Sequence, residues 1–599
     1  MTLPIVLDFA SLRALYAGGT TPLELVDQLI ARMNAATDPA IFIVRTPDES
    51  LRAAAQELMA RAPQPNSLPL WGIPFAVKDN IDVAGAPTTA GCPEFAYEPA
   101  VDATVVARLK AAGALVIGKT NLDQFATGLN GTRSPYGAPR CVFDSAYVSG
   151  GSSSGSSVTV AAGLAAFALG TDTAGSGRVP AAFNNIVGIK PTPGRVSNAG
   201  VVPACRSVDV VTFFANDVAD GIAARGVAEG YDAADPFSRT FGNEPLPAKL
   251  RVGVLAAKDR NFYGNAAYEA LYAEAVERAR SLGAQVVEFD YAPFRDAAAL
   301  LYQGPWVAER LAAIESFYDA HADAMDPTVR TIVGAAKKYS AVDAFNGRYE
   351  LERLRQLTLV EWAKADALLL PTSPDIQTVE AMLADPIALN ARFGLYTNFA
   401  NLLSCSAIAV PAGFTDKGLA FGVTLVAPAD RDDALAPFAS ELHAAARTGS
   451  GIDRKAIPPI IVSEENSLQI AVVGAHLTGM ALNHELVSLG ATLLEETRTA
   501  PHYRLFALGG TVPPKPGLQR EPGFDGPGIV LEIWELPAAG LGQFVANIPA
   551  PLGVGKIELA DGRHVTGFLC EAAALADARD ITEFGGWRAF VSESKRLAS

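Results

Sequence analysis

The amino-acid sequence predicts an α/β fold with a central mixed or largely parallel β-sheet flanked by helices, followed by a smaller α+β domain. Between residues 66 and 445, short apolar runs that read as buried strands alternate with helical stretches, a pattern typical of α/β domains. After about residue 445 the composition shifts, which indicates a domain boundary. The 599 residues are long enough for two to four domains.

The first 65 residues are predicted to be helical. Thr21-Pro22-Leu23 reads as a helix start, because proline is favoured in the first turn. Apolar residues Leu23, Val26, Leu29 and Ile30 then recur at helical spacing. We expect this segment to open a first domain that spans residues 1–445.

Several later stretches predict the sheet. VVARLKAAGA is helical, and ALVIGKTN after it reads as a buried strand. LRVGVLAA, a long helix around residues 266–283 and AQVVEFD repeat the alternation, and ADALLLPTSP is a further buried strand. This order of elements predicts a parallel or mixed sheet.

The end of the chain reads as a separate unit. Residues 446–465 contain glycine, proline and charges and are predicted to be a linker. Residues 466–599 would then form a second domain, with strand-like runs in SLQIAVVGAHLTG and GPGIVLEIWELP. Residues 586–596 are expected to form a closing strand and tail.

Composition narrows the function classes. The net charge of −16 argues against nucleic acid or an anionic membrane surface as the main partner. No apolar run is long enough for a membrane span, and the N-terminus lacks the pattern of a signal peptide. Five scattered cysteines suit a reducing, cytoplasmic environment, and no metal-ligand cluster or cofactor motif is found. We therefore expect a cytoplasmic protein with neither a metal nor a cofactor.

Two serine-glycine clusters form the most informative stretch, VSGGSSSGSSVTVAAGLAAFALGTDTAGSGRVP. Ser152 opens the first cluster and Ser176 closes the second. A short helix and a buried strand between them would bring both serines to one place. A flexible linker is the alternative for such runs, but the apolar stretch between the clusters argues against it.

A serine nucleophile needs a base, and a lysine is the best candidate. Histidines are few, and none precedes His321. Lys78 ends an apolar run that reads as a buried strand, where desolvation would lower its pKa toward a neutral amine. The alternative is a structural lysine that reaches solvent or pairs with Asp79 or Asp82.

These motifs together resemble the amidase signature enzymes. The resemblance rests on GIPFAVKDN, GGSSSGSS and GTDTAGSGRVP. It implies a catalytic triad of Lys78, Ser152 and Ser176, with Ser176 as nucleophile and Ser152, held by a cis peptide bond, as proton relay. The backbone N–H groups of the turn Thr173-Ala174-Gly175-Ser176 would form the oxyanion hole. Many family members have glycine where Ala174 stands, so the methyl group would favour a small substrate.

Two further stretches predict substrate contacts. TNLDQFATGLNGTRSPYG reads as a loop, and the related family segment lines the acyl pocket, which implies that Gly128 lies near the substrate; an ordinary surface loop is the alternative. In LYQGPWVAER, Tyr302 and Arg310 are eight residues apart, and Arg310 could grip a carboxylate. The alternative for Arg310 is an ion pair with Glu309 or Glu315.

The second of these stretches resembles the allophanate hydrolases, a branch of the family. That resemblance implies hydrolysis of allophanate, a small anionic amide, through an acyl-enzyme, giving ammonia and N-carboxycarbamate, with Tyr302 and Arg310 holding the carboxylate. GAHLTGMALNHELVSLGA resembles the C-terminal domain of this branch, whose fold is similar to γ-glutamyl cyclotransferases. There His476 would assist decarboxylation, and Tyr503, Lys515 and Arg520 are candidate anion ligands; a structural histidine is the alternative.

The partners expected from this interpretation are a small anionic amide, a second copy of the chain in a homodimer, and a urea carboxylase as a source of substrate. Two other functions stay open. One is an amidase of the same signature that acts on another small amide, and the other is a component of an amidotransferase that passes ammonia to a partner. For the second domain, a purely structural role is the alternative to catalysis.

Overall fold

The structure is a computed structural model that describes residues 3–247, 249–455, 467–489, 491–510 and 513–598. The chain divides into two compact units, Met1–Ile460 and Ile461–Ser599. Residues 446–455 of the predicted linker pack on the first unit, where Gly451 N donates to Asn185 O at 2.7 Å and Ile452 N to Ala161 O at 3.0 Å. Residues 456–465 of that linker lie outside the described residues.

One 11-stranded sheet forms the centre of the first unit, in the order β1-β3-β2-β4-β6-β5-β10-β11-β9-β7-β8. Its strands are β1 Phe42–Arg45, β2 Pro74–Lys78, β3 Leu115–Thr120, β4 Phe167–Asp172, β5 Val187–Lys190, β6 Val210–Ala215, β7 Arg251–Leu255, β8 Gln285–Phe289, β9 Ala367–Pro371, β10 Ser406–Phe414 and β11 Ala420–Ala427. Strands β3, β2 and β4 are parallel neighbours, as are β9, β7 and β8, and the remaining pairs are antiparallel. The predicted central mixed sheet is confirmed.

Helices of very different lengths accompany this sheet. They are α1 Phe9–Ala17, α2 Pro22–Ala35, α3 Asp48–Arg61, α4 Thr104–Ala111, α5 Ser154–Ala161, α6 Val179–Phe183, α7 Val218–Ala228, α8 Ala266–Ser281, α9 Ala292–Gln303, α10 Trp306–His321, α11 Pro327–Gly334, α12 Ala341–Trp362, α13 Val379–Ala384, α14 Ala388–Phe393, α15 Phe399–Leu402 and α16 Asp432–Ala446.

Most predicted elements of the first unit are present where the sequence places them. The prediction that residues 1–65 are helical throughout is wrong, because Phe42–Arg45 forms strand β1, which pairs with β3 in the sheet and contains aromatic and β-branched residues that favour strands. Helix α2 starts at Pro22, and Thr21 caps it in a capping box with Glu24, which satisfies two free N–H groups of the first turn. Strands β2, β4 and β9 are buried along their whole length, because the sheet is covered on both faces. This burial is the reason that these strands read as continuous apolar runs.

The second unit contains a five-stranded sheet, in the order β13-β16-β12-β18-β17, and a three-stranded sheet, β15-β14-β19. Its elements are β12 Ser467–Val472, α17 Asn483–Ser488, β13 Thr492–Arg498, β14 Tyr503–Ala507, β15 Pro516–Arg520, β16 Val530–Pro537, α18 Ala538–Ala546, β17 Leu552–Glu558, β18 His564–Cys570, β19 Arg579–Asp580 and α19 Trp587–Ala598. The strand-like runs around residues 467–472 and 530–537 are strands, as predicted.

The predicted closing strand at residues 586–596 is wrong, because residues 587–596 belong to helix α19. Trp587, Phe590 and Val591 face the core of the second unit. Their spacing of three and four residues is that of one helix face, whereas a half-buried strand requires alternate apolar residues.

Within the described part of the chain, no helix has both the length and the apolar character needed to cross a membrane.

Candidate active site

The candidate site lies where strands β2 and β4 end. The two strands run parallel, so their last residues, Lys78 and Asp172, lie at the same edge of the sheet. The ammonium nitrogen of Lys78 lies 2.7 Å from Ser152 Oγ and 2.7 Å from Thr171 Oγ1. The fold therefore brings together the predicted lysine and the first predicted serine.

Lys78 is fully buried, and its surroundings lower its pKa to about 7. Desolvation is the main cause; the negative charges of Asp123, Asp209 and Asp172 act in the opposite direction. The alternative ion pairs of Lys78 are not formed, because Asp79 pairs with Lys119 at 3.0 Å. Lys78 is thus poised to exchange a proton near neutral pH.

Ser152 begins the turn into helix α5. Its peptide bond with Gly151 is cis, as the family resemblance implies. The carbonyl of Ser152 accepts a hydrogen bond from the backbone N–H of Asp123 at 3.1 Å. Ser152 is completely buried, so the surrounding chain fixes its position.

Asp123 organises the loop that faces the two serines, and sequence reasoning missed it. Its buried carboxylate accepts hydrogen bonds from the backbone N–H groups of Asn130, Gly131 and Arg133 at 3.0–3.2 Å. A methyl group on Gly128 or Gly151 would collide with this carboxylate. The glycines of both segments are therefore required for close packing around one acid.

The second serine follows a turn that is tied down by an ion pair. The carboxylate of Asp172 accepts hydrogen bonds from Arg178 Nε at 2.9 Å and from the Gly177 N–H at 3.0 Å. The side chains of Asp172 and Arg178 are both fully buried. These contacts of Asp172 tie the turn to the end of strand β4. Asn401 adds a hydrogen bond of 2.6 Å to the carbonyl of Asp172.

The turn Thr173–Ser176 is held from two sides. Thr173 Oγ1 donates to Asp209 at 2.5 Å, and burial raises the pKa of Asp209 to about 6. Gly175 has a φ of 156°, and any side chain there would collide with Thr397. Ala174 is buried at 2% exposure, so its methyl group occupies space beside the turn.

Ser176 lies beside Gly128, the residue expected near the substrate. Its Oγ donates to the Gly128 carbonyl at 3.4 Å. No hydrogen bond joins Ser176 to Ser152, both of which the structure describes. Gly128 belongs to a buried loop, so the alternative of an ordinary surface loop does not apply to it.

Tyr302 and Arg310 meet although they lie on different helices. Tyr302 is near the end of α9 and Arg310 lies in the second turn of α10, with Gly304 and Pro305 between the two helices. Arg310 donates to Tyr302 Oη at 3.1 Å and to Thr127 Oγ1 at 3.2 Å. Because Thr127 precedes Gly128, the guanidinium and the Ser176 hydroxyl contact adjacent residues.

Arg310 is a buried cation whose side-chain hydrogen bonds within the described residues go to neutral hydroxyl groups. It is 2% exposed, and it forms no ion pair with any described carboxylate. Its Nε has no hydrogen-bond partner within the described residues. Neither Glu309 nor Glu315 pairs with it, since Glu309 instead accepts from Ser207 at 2.7 Å. A buried arginine in this state is suited to an anionic ligand.

His476 lies in the second unit and belongs to a separate cavity of about 370 Å³. Its Nε2 is 2.9 Å from Glu485, and its ring contacts Phe544 and Phe568. Burial lowers the pKa of His476, and the hydrogen bond to Glu485 partly offsets this. Lys515 also lines this cavity.

The other two candidate anion ligands are placed elsewhere in the second unit. Tyr503 is buried in the core, where its hydroxyl accepts from the Glu558 N–H, and Arg520 pairs with Glu558 at 2.8 Å. Neither lines the His476 cavity. No group of residues suited to a metal ion is present in the described residues of either unit.

The residues that sequence reasoning missed are mainly the supports of the site. Thr171 stands two positions before Thr173 in the motif GTDTAGS. Its place near the end of a buried strand could have identified it as a contact of Lys78. Asp123 and Asp209 offered no such signal. The carboxylate of Asp123 accepts hydrogen bonds from backbone N–H groups, and that of Asp209 accepts from backbone N–H groups and from Thr173, which is far away in the sequence.

Two protein families match most of this chain. Residues 24–436 match the amidase family, and residues 468–592 match the family described as the allophanate hydrolase C-terminal domain. A solved structure of an allophanate hydrolase from Kluyveromyces lactis is 38% identical, with a TM-score of 0.75, and covers 99% of this chain and 100% of that one.

Longer and shorter relatives match as well. The urea amidolyase of Saccharomyces cerevisiae is 42% identical over 596 residues, which cover 96% of this chain and 32% of the yeast protein. The chain thus spans about a third of the length of the urea amidolyases it matches. A component of the glutamyl-tRNA(Gln) amidotransferase of Prochlorococcus marinus is 34% identical over 68% of this chain and 91% of that protein. The chain belongs to the amidase family, and it carries an allophanate hydrolase C-terminal domain.

Proposed function

We propose that this protein hydrolyses allophanate, releasing ammonia from its terminal amide. The observation that carries the proposal is Arg310, a buried guanidinium without a described acidic partner that contacts the residue next to Gly128. The carboxylate of allophanate would supply the missing negative charge, and Tyr302 would help to orient it. The likeness to the K. lactis allophanate hydrolase over both units supports this substrate.

The proposed chemistry starts at Ser176. Its Oγ, which now points to the Gly128 carbonyl, would turn to attack the terminal amide carbon, and its proton would pass through Ser152 to the neutral amine of Lys78. The C–N bond then breaks, the proton moves to the leaving nitrogen, and ammonia departs. The acyl group stays on Ser176 until water cleaves the ester and releases N-carboxycarbamate.

The turn Thr173–Ser176 is proposed to stabilise the oxyanion of both steps. Its N–H groups are preorganised by the Asp172–Arg178 ion pair and by the contact of Thr173 with Asp209. The Ala174 methyl group narrows the space beside Ser176, which favours a small acyl group over an aryl one.

For the second unit we propose that His476 promotes decarboxylation of N-carboxycarbamate. Its position in a cavity that is also lined by Lys515 supports the binding of a small anion. The expected likeness of this unit to γ-glutamyl cyclotransferases stays a prediction. The assignment of residues 1–445 to amide hydrolysis and of residues 466–599 to decarboxylation also stays a prediction.

We further propose a homodimer formed through helix α12. One face of α12 is buried, and the opposite face carries exposed apolar side chains at helical spacing: Val342, Phe345, Tyr349, Leu357 and Val360. Helices that are apolar on two faces usually have a second partner.

A cytoplasmic location and cooperation with a urea carboxylase complete the proposal. The five cysteines are all free thiols, which suits a reducing compartment. The urea amidolyases resemble this chain over only a third of their length, and a urea carboxylase would make the anionic substrate that Arg310 requires.

The direct test is ammonia release from freshly prepared allophanate, compared with biuret, malonamate and benzamide, using the wild-type protein and Ser176→Ala above neutral pH. Rapid turnover of allophanate alone, abolished by Ser176→Ala, would support the substrate and the nucleophile. Turnover of benzamide without allophanate would keep the serine chemistry and reject the role of Arg310. Activity that appears only with partner chains and glutamine would favour the amidotransferase alternative. This alternative stays open because the chain is similar to the P. marinus protein.

A further inference from the structure

The reacting groups of the candidate site are closed off from solvent. Lys78 and Ser152 are completely buried, and Ser176 and Arg310 are each 2% exposed. A substrate must therefore reach them through a neighbouring space. Among the cavities of the first unit, two that border residues of the site have described walls of different charge.

The first, which we name the Tyr302 cavity, has a volume of about 390 Å³. Its wall contains Tyr302, whose hydroxyl binds Arg310, and Leu129, which follows Gly128. Asn390 also lines it, and its side-chain oxygen accepts from the Leu129 N–H at 2.8 Å. The cavity wall thus contains Tyr302, which binds Arg310, and the residue that follows Gly128, the hydrogen-bond partner of Ser176.

The second, the Asp209 cavity, has a volume of about 690 Å³. It approaches the site from the side of Asp209, the partner of Thr173. The charged residues of its described lining are mostly acidic, with Asp82, Asp209, Asp235 and Glu309 against a single arginine, Arg206.

The Tyr302 cavity has the opposite charge. Arg133 and Arg295 line it, and none of its described lining residues is acidic. Arg133 is 2% exposed, its Nη1 donates to the Thr127 carbonyl at 2.8 Å, and its Nε has no partner within the described residues. The hydroxyl of Thr127 accepts a hydrogen bond from Arg310, so Thr127 contacts both buried guanidinium groups.

Arg295 stands at the outer part of this wall. Its side chain is 51% exposed, and its nearest carboxylates, Asp296 and Asp259, lie at 3.5 and 3.9 Å. These distances are longer than charge-assisted hydrogen bonds, so neither carboxylate holds the N–H donors of the guanidinium in a close contact. The described lining thus carries one exposed guanidinium, Arg295, and one buried guanidinium, Arg133, which Thr127 links to Arg310.

We propose that the Tyr302 cavity is the access route for the anionic substrate, and that Arg295 is the residue that attracts carboxylates into it. The protein has a net charge of −16, so an approaching anion is repelled at long range. Screening limits this repulsion to about 10 Å at moderate salt, so a local cation at the mouth decides the encounter. The cation at the mouth of the cavity would favour carboxylated amides over neutral ones.

This inference rests on the proposed function, because it presumes an anionic substrate. Its test measures kcat and kcat/KM for allophanate as a function of salt in the wild type, Arg295→Glu and Arg295→Lys. Arg280→Glu is the matched control, since Arg280 is 53% exposed, has an acidic neighbour at 3.6 Å and lines neither cavity.

At low salt we expect Arg295→Glu to lower kcat/KM by about tenfold with kcat within about twofold, and Arg295→Lys to retain most of the wild-type value. This loss of kcat/KM should become smaller as the salt concentration rises to about 0.5 M, where charges more than roughly 4–5 Å apart are screened. Equal effects of Arg295→Glu and Arg280→Glu, or no effect of either, would overturn the access route. Failure of the wild type to use allophanate would instead reject the proposed function.

A steric variant tests the route independently of charge. Ala299 lines the Tyr302 cavity and is partly exposed, so Ala299→Trp should fill the space and lower kcat/KM while Ala299→Ser should not. Circular dichroism and a melting curve would verify that both variants are folded. A folded Ala299→Trp variant with wild-type kcat/KM would exclude this cavity as the route.

Discussion

At the scale of single residues, Lys78 decides the pH dependence of the proposed chemistry. Its amine lies between two hydroxyl groups and forms no ion pair with a described carboxylate, so burial favours the neutral form and brings its pKa to about 7. A neutral amine can take the serine proton, whereas the ammonium form cannot. The group is active above its pKa and inactive below it.

We therefore expect kcat/KM to rise about tenfold per pH unit well below pH 7, to bend near 7 and to level off above it. Initial rates of ammonia release, corrected for spontaneous decay of the substrate, measure this profile. Lys78→Met should lower kcat by at least about a hundredfold. A profile that is flat between pH 5.5 and 8.5 in the wild type would contradict the role of Lys78.

The sequence was sufficient to single out Lys78, Ser152 and Ser176, because they lie in short motifs at the ends of predicted elements. It could not identify their supports. Asp123 acts through backbone N–H groups within its own loop, and Asp209 acts through Thr173, 36 residues away. Such partnerships depend on how distant loops fold together, and the local pattern of residue types does not encode them.

At the scale of elements, the turn after β4 shows why a glycine is needed at one position. Gly175 has a φ of 156°, and a methyl group there would collide with Thr397. Gly175→Ala must therefore shift the N–H groups of the proposed oxyanion hole. Steady-state kinetics should show kcat reduced by about a hundredfold or more, with a smaller change in KM.

Gly226→Ala is the matched control for this change. Gly226 lies in helix α7, and an added methyl group there meets open space, so activity and melting temperature should be unchanged or slightly improved. If Gly175→Ala keeps kcat within twofold of the wild type, the turn is not the oxyanion hole.

Helix α12 carries the prediction for self-association. Phe345 and Tyr349 are 58% and 68% exposed on its outer face. Replacing both by glutamate should turn a dimer into a monomer, because two charges would have to be desolvated in the interface. Light scattering after size exclusion gives the mass. Leu383→Glu, at a residue 60% exposed on helix α13, is the control that should leave the mass unchanged.

At the scale of the whole molecule, two units would share one reaction sequence. His476 lies in a cavity of the second unit, while the serines and Lys78 belong to the first. His476→Ala should therefore leave the first release of ammonia unchanged and slow the appearance of CO2 and the second ammonia to the uncatalysed rate. Parallel time courses of CO2 and ammonia measure both phases.

His564→Ala is the control for this experiment, because His564 is exposed on the same unit and is not among the described residues that line the His476 cavity. Identical CO2 time courses for wild type and His476→Ala, with assembly intact, would leave the second unit a structural role.

The sequence by itself indicated the mixed or largely parallel sheet, the buried strand that ends at Lys78, and the helix and strand between Ser152 and Ser176 that would bring these candidate residues together. These features follow from local periodicity and from short motifs, which are encoded in neighbouring residues. Only the tertiary structure decided that Arg310 is buried without an acidic partner among the described residues, that Thr127 joins it to Arg133, and that the last segment is a helix. Those outcomes depend on contacts between residues up to about 180 positions apart, and on which apolar face the rest of the fold leaves to be covered.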